Sequence, residues 1–246
     1  MSTLPPLNLV LDMDELLVHA YKVDARDLES NKISNLVHFK HPKKNVINKF
    51  GVKASKTGDT VEVIVDFVKR PGLDEFFEQL AGLNNVSVNI WTNSEPLYAD
   101  AILDHILPAS FRNSAPRYYR KHCKTAKAKS GKDIFYKDVR KFWKKELNRT
   151  VIFDDNKNNF VVTPNNGYEA IRWEGVLTKE PEFYMENMLE IIRKLVVEKD
   201  VRKAKEKLQE ALDDAALEPP MQHERMSVMR GMTKSFFNLG GGGMGM

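Results

Sequence analysis

The sequence predicts an α/β fold: a parallel sheet with helices on both faces and a small β insertion. Three observations carry that prediction. Short apolar runs of strand length alternate with stretches whose apolar residues recur at helical spacing. Three of those runs stop at residues capable of chemistry, namely Asp12 with Asp14, Thr92, and Asp154 with Asp155 and Asn156. In open parallel sheets ligands sit outside the carboxyl ends of the strands, so these stops should share one edge.

The elements follow in chain order. Leu7-Asn-Leu-Val-Leu is a buried strand running into Asp12, and Val61 to Val68 reads as a second strand, broken off by Pro71 and Gly72. Leu73 to Leu80 spaces its apolar residues as a helix does. Val86-Ser-Val-Asn-Ile-Trp91 alternates like a strand. Asn93 and Ser94 can cap a helix from Pro96 to Leu107, since proline is tolerated in a first turn. Thr150 to Asp154 is another apolar run stopped by acids. A helix from about Glu182 to Val197 gathers Met185, Met188, Leu189, Ile192 and Val196 on one face.

Residues 1–200 thus read as one domain, with an insert at about 21–60 whose short alternations, such as Leu36 to Lys40, suit a hairpin or small β subdomain. Val201, Ala204, Leu208, Ala211 and Ala215 extend the last helix over 201–220 as an amphipathic stretch, stopped by Pro219 and Pro220 and packed on its own domain. Residues 221–246 hold six of the ten methionines and end in a glycine run. They have little to bury and much backbone entropy to lose, so a disordered tail is expected.

Composition excludes several classes. With 42% hydrophobic and 29% charged residues the 246-residue chain is of globular type and long enough to bury a core. A lone Cys123 excludes an intramolecular disulfide framework and a cysteine-rich zinc site. No apolar run approaches the roughly 20 residues that span a bilayer, and Met1-Ser-Thr-Leu-Pro-Pro lacks a charged-then-apolar signal pattern.

Asp12-Met-Asp14 is where chemistry starts. One carboxylate can attack phosphorus and carry the phosphoryl group, while the other protonates the leaving alcohol and then activates water. The pair also supplies hard oxygen ligands of the kind Mg²⁺ takes beside waters and a substrate phosphate. A bare D-x-D is more often an acidic loop after a strand, so the surroundings decide. Thr92 alone could equally cap the next helix, and Lys137 lies in a lysine-rich stretch where most charges are solvated.

Those surroundings resemble a family. Asp12-Met-Asp-Glu-Leu-Leu-Val-His19 is similar to the D-L-D-E-T-L-V-H motif of the haloacid dehalogenase superfamily, in its branch of carboxy-terminal-domain phosphatases. Arg70-Pro-Gly-Leu-Asp-Glu-Phe, Trp91-Thr-Asn-Ser-Glu-Pro-Leu-Tyr-Ala-Asp100, Arg120-Lys-His-Cys123, Tyr136-Lys-Asp138 and Phe153-Asp-Asp-Asn156 resemble further elements of that branch, in its order. The resemblance implies a Rossmann-like fold and a Mg²⁺-dependent protein serine/threonine phosphatase working through an aspartyl phosphate. It makes Asp12 the nucleophile, Asp14 the general acid and base, and Thr92 and Lys137 the groups that meet the phosphoryl charge. Arg120 and Asn93 would contact substrate. Asp12, the backbone carbonyl of Asp14, Asn156 and the nearby Asp155 would hold Mg²⁺.

The branch also contains catalytically degraded domains that serve as protein-binding modules, and that is the alternative reading. Leu16 stands where the family usually has threonine, Lys121 replaces an acid, and the stretch from Arg120 to Lys137 is longer than usual. From Arg117 to Arg149 there are thirteen Lys or Arg against Asp133, Asp138 and Glu146, so the net charge of +4 hides a polarised surface. The implied partner is a phosphoprotein bearing phosphoserine or phosphothreonine, among which the repeats of RNA polymerase II are the best known for the branch. Neither a nucleotide cofactor nor nucleic acid is the expected partner, and the expected location is nuclear or cytoplasmic. Cys123 and His19 are expected to be structural, and Arg70 to anchor a turn.

Overall fold

Every residue of the run Leu7–Leu11 is buried, and the sheet is built around it. The computed structural model of the chain describes residues 4–21, 36–42, 56–57, 60–127, 131, 133–175 and 183–214. In order, the strands are β1 (Leu7–Leu11), β2 (Val18–Tyr21), β3 (Leu36–Pro42), β4 (Lys56–Thr57), β5 (Thr60–Lys69), β6 (Val86–Trp91), β7 (Arg117–Tyr118), β8 (Lys124–Lys127), β9 (Asp133–Tyr136), β10 (Thr150–Asp154) and β11 (Gly167–Glu169). The helices are α1 (Leu73–Ala81), α2 (Pro96–Ile106), α3 (Ala109–Arg112), α4 (Arg140–Trp143), α5 (Tyr184–Val197) and α6 (Lys205–Asp214).

Five strands form a parallel sheet in the order β11-β10-β1-β6-β7. The chain leaves β1 for β6 on one side and returns to β10 on the other, so the carboxyl end of β1 lies at the point where strand order reverses. That is where an open α/β sheet has its crevice.

The period of two along each strand divides the core. Leu9, Leu11, Ile90, Val151 and Phe153 face a large cluster with α1, α2 and α5. Val10, Trp91 and Ile152 face a smaller one with Val139, Trp143 and Phe160. Both faces are therefore covered, but unequally: the long helices share one side, and α4 with short turns closes the other.

The strand expected over Val61–Val68 exists as β5 but does not join the parallel sheet. It runs antiparallel to β2, β3 and β4, so the described parts of the region 21–60 pair with the strand that follows them. Val65 and Phe67 of β5 enter the large cluster.

The stretch after Val197 also differs from the expected continuous helix. Glu198 turns extended and ends α5, Asp200 accepts from the Arg202 N–H at 3.1 Å to start a single turn, and α6 follows as a separate helix. Val201, Leu208 and Leu212 bury there. Gln209 pairs with the backbone of Glu169 at 2.9 Å in both directions, fastening α6 to β11. The expected tail over 221–246 lies outside the described residues.

Arg149 is buried, although it belongs to the basic stretch. Its guanidinium donates to the carbonyls of Pro5 (3.0 Å), Leu195 (3.1 Å) and Val196 (2.9 Å) and to that of Glu198. The last carbonyls of a helix have no intrahelical partner and carry its negative end, so this cation satisfies both needs of α5.

Candidate active site

The loop after β1 brings the two carboxylates of Asp12-Met-Asp14 into different surroundings. Leu17 and Val18 both donate to the Met13 carbonyl (2.9 and 3.2 Å), and Glu15, in the left-handed region at φ 64°, donates to Val18 O at 2.7 Å. This tight turn needs no side-chain hydroxyl. Leu16 is instead fully buried in the core, and its carbonyl accepts from the buried Arg70 guanidinium at 3.0 Å. Arg70 also donates to Ile171 O at 2.8 Å and lies 4.0 Å over the Tyr184 ring, so it anchors the loop from behind. His19 meets Glu15 at 2.7 Å within the same turn.

Asp12 turns toward β10. Its Oδ1 accepts from the Lys137 ammonium at 2.5 Å, and the same ammonium reaches Asp154 Oδ2 at 2.6 Å. Asp12, Lys137 and Asp154 are all buried. Asp12, Asp154 and Asp155 each offer a carboxylate oxygen within 4.8 Å of the others. Burial and the neighbouring Asp154 charge push Asp12 well above the usual carboxylate range, with Lys137 opposing. For Lys137 burial works against the charge, and the two carboxylates overcome it, so its pKa rises and it stays an ammonium. Burial thus favours the neutral form of each group, and the surplus of carboxylates over a single lysine adds to it at Asp12 and reverses it at Lys137.

Asp14 turns toward β6. Tyr98 donates to its Oδ1 at 2.5 Å, and Ser94 and Thr92 donate to its Oδ2 at 2.8 and 3.2 Å. Thr92 Oγ1 in turn accepts from the Ser94 N–H at 3.0 Å. Burial, reinforced by the charge of Asp14, raises Tyr98 and keeps its phenol protonated as a donor.

Asp154, which the sequence places at this edge without a role, and Asn159, which no motif marks, hold the site together. Asp154 Oδ1 accepts from the Asn156 N–H (2.9 Å) and from Asn159 Nδ2 (2.7 Å), which with Lys137 engages both its oxygens. Asn159 also accepts from Asn93 Nδ2 at 3.0 Å through its side chain and from Lys137 N at 2.6 Å through its backbone. Asn93 Oδ1 accepts from the Cys123 thiol at 2.9 Å, a thiol that burial pushes up in pKa and so keeps un-ionised at neutral pH. Arg120 donates to Asn93 O at 2.7 Å and to Glu95 at 3.2 Å, one step back from the carboxylates.

The remaining metal-ligand candidates lie at the end of β10. The Asn156 side-chain oxygen accepts from Asn158 N (3.1 Å) and Asn158 Nδ2 (3.0 Å), capping the turn after β10. Asp155 stands in the carboxylate cluster. Burial, then the Asp154 charge, raises it to about 6, although Arg172 holds its Oδ2 at 2.8 Å. Two carboxylates with unengaged oxygens, Asp12 Oδ2 and Asp155 Oδ1, make a hard-oxygen donor set of the type Mg²⁺ accepts alongside waters and phosphate. The residues present therefore fit that ion.

A model of the NLI interacting factor-like phosphatase family matches residues 7–202. Nuclear envelope morphology protein 1 of Schizosaccharomyces pombe is 29% identical over 205 residues, which are 82% of this chain and 36% of that protein, so the chain spans about a third of the curated relative. The solved structure of Fcp1, an essential RNA polymerase II CTD phosphatase, is similar with a TM-score of 0.50 at 16% identity, over 96% of this chain and 55% of that one, a likeness of fold. Fission yeast Fcp1-R271A bound to beryllium fluoride is similar with a TM-score of 0.48 at 17% identity, over 93% and 62% of the two chains. Among the described residues no helix is long and apolar enough to cross a membrane.

Proposed function

Because the chain belongs to the NLI interacting factor-like phosphatase family, we propose that it is an active, Mg²⁺-dependent phosphoprotein phosphatase that works through an aspartyl phosphate on Asp12. The observation that carries this reading is the pair of carboxylates two residues apart in opposite settings, Asp12 on a buried ammonium and Asp14 on three hydroxyls. Carboxylates whose surroundings differ in this way divide into nucleophile and acid–base.

A carboxylate oxygen of Asp12 attacks phosphorus in line with the seryl or threonyl oxygen, the P–O bond to that oxygen breaks, and Asp14, protonated at the start of the cycle, gives it a proton. Asp14 then takes a proton from the water that hydrolyses the Asp12 phosphate, returning both carboxylates to their starting forms. Tyr98, Ser94 and Thr92 hold Asp14 in place through both steps. Lys137 offsets charge that would otherwise oppose a phosphate dianion beside Asp12 and Asp154. Mg²⁺, held by Asp12, Asp155, Asn156 and the Asp14 carbonyl, would supply further charge compensation for the phosphoryl oxygens. Leu16 does not weaken the proposal, since the turn is ordered by backbone and Arg70 rather than by a hydroxyl at that position. Similarity to a nuclear envelope morphology protein supports a nuclear-associated location.

The test is hydrolysis of p-nitrophenyl phosphate. Turnover should require Mg²⁺, stop with chelator and disappear in Asp12→Asn. A folded wild-type protein that is inert at saturating Mg²⁺ overturns the enzyme reading in favour of a binding module.

A further inference from the structure

The β8–β9 hairpin borders the site. β8 leaves Cys123, whose thiol meets Asn93, and β9 runs directly into Lys137, so both feet of the β8–β9 hairpin stand at the site. Its two strands pair with each other and, among the described residues, with no other strand. All four residues of β8 are exposed.

Among the described residues, five exposed cations crowd this hairpin and its base: Lys121, Lys124, Lys127, Arg140 and Lys141. Two carboxylates answer them. Asp138 is buried and shared by Lys124 and Arg140 at 2.7 Å each, and Asp133 pairs with Lys127 at 2.6 Å. Lys141 donates to the His122 carbonyl at 2.9 Å, which leaves its charge unbalanced, and Lys121 has no carboxylate partner among the described residues. Three positive charges therefore remain uncompensated beside a crevice built for a phosphate.

We infer that this face captures the acidic flanks of a phosphorylated peptide, an inference that rests on the phosphatase reading for the position of the phosphoryl group. A peptide whose phosphate reaches Asp12 and Lys137 must carry its neighbouring residues past the hairpin. Asp and Glu at those positions meet charges on long, flexible stems, which tolerate several registers of the peptide. Single-stranded nucleic acid would instead need free aromatic platforms. The rings here are taken up by one another: Phe142 packs on Tyr118 at 4.3 Å and on Trp91 at 5.4 Å, and Arg120 covers Phe135 at 5.5 Å.

The experiment uses fluorescein-labelled peptides with one phosphoserine core and flanks of Asp/Glu, Gly/Ser or Lys. Binding to the full chain is read by anisotropy in chelator, where there is no turnover. The acidic peptide should bind about tenfold tighter than the neutral one at low ionic strength, and the gap should narrow as salt screens it. A triple variant, Lys121→Glu, Lys127→Glu and Lys141→Glu, should lose roughly that tenfold for the acidic peptide and leave the neutral peptide unchanged. Equal binding of acidic and neutral peptides, or a preference that survives the triple variant, overturns the inference. So does an oligonucleotide of equal charge that binds tighter than the acidic peptide. Hydrolysis of p-nitrophenyl phosphate by the same preparation separates the two readings. Preference without hydrolysis removes the activity and keeps the surface; hydrolysis without preference does the reverse.

Discussion

Replacing Lys137 with methionine removes the one ammonium that touches both Asp12 and Asp154 and keeps most of the side-chain volume. What remains is two buried carboxylates with oxygens within 4.8 Å of each other. Breaking a buried ion pair by deleting one partner costs about 3–5 kcal/mol. Proton uptake sets a ceiling on that cost: bringing a carboxylate of ordinary pKa to its neutral form takes about 4 kcal/mol at pH 7 and about 1.5 kcal/mol at pH 5. Burial and the neighbouring Asp154 charge raise Asp12 in the folded state, and without Lys137 nothing opposes them, so folding takes up a proton and stability returns as the pH falls. Urea unfolding in chelator should show Lys137→Met destabilised by about 3–4 kcal/mol at pH 7 and by about half that or less at pH 5, as a shift of midpoint with unchanged slope. Added Mg²⁺ should recover stability at pH 7, because it compensates the same charge. A loss below about 1 kcal/mol at pH 7, or one equal at both pH values, would refute the picture of a lysine balancing two ionised carboxylates.

Two further substitutions probe the frame of the site. Gly167 lies against a buried ring, and a Cβ there would fall 2.0 Å from Phe160 Cδ2, so Gly167→Ala should cost about 1–3 kcal/mol, read as a lowered Tm. Pairing it with Phe160→Leu should return part of that loss, and a neutral Gly167→Ala would show that the ring is free to move. Asp138 is held down to about 2 from 3.8, first by Arg140 and then by Lys124. A depressed carboxylate stabilises above its unfolded pKa and loses that contribution as the pH falls through its folded value. Asp138→Asn should therefore trail the wild type by on the order of 1 kcal/mol above about pH 4, a figure discounted for the half-exposed partners, with the gap closing toward pH 2. A gap that persists at the acid end would mean that charge on Asp138 contributes nothing.

Much of the scaffold was legible because its signals are local. β1, β6 and β10 are apolar runs with abrupt polar stops, and α1 and α5 repeat apolar residues at helical spacing, so pattern alone sets their extent to within a residue or two. Pairing is a different matter. The alternation in Val61 to Val68 marks a strand without saying which sheet it joins, and the antiparallel partners of β5 come from the 21–60 region, whose own strand signals are weak. The apolar steps after Val197 likewise suit helix, but nothing in their spacing signals the extended Glu198 or the capping Asp200 that divide α5 from α6.

The candidate site shows the same division at the level of side chains. Sequence order brought Asp12, Asp14 and Thr92 to one edge, because residues that end parallel strands share it; Lys137 arrives there from β9, which belongs to the separate hairpin. Direction was not encoded in that way. Adjacent positions after β10 send Asp154 to Lys137, Asp155 to Arg172 and the Asn156 oxygen to Asn158, and only the turn at 157–160 decides which does which. Asn159 had no motif to mark it, yet it meets Asp154, Asn93 and the backbone of Lys137 at once. Burial of an asparagine in a short polar turn is the signal that could have found it, since a buried amide must find several partners and here finds them on two separate segments, while its backbone carbonyl meets a third. The basic stretch makes the complementary point: Lys137 and Arg149 are drawn inward by carboxylates and helix carbonyls, whereas Lys124, Lys127, Arg140 and Lys141 stay outside and reach acceptors from the surface.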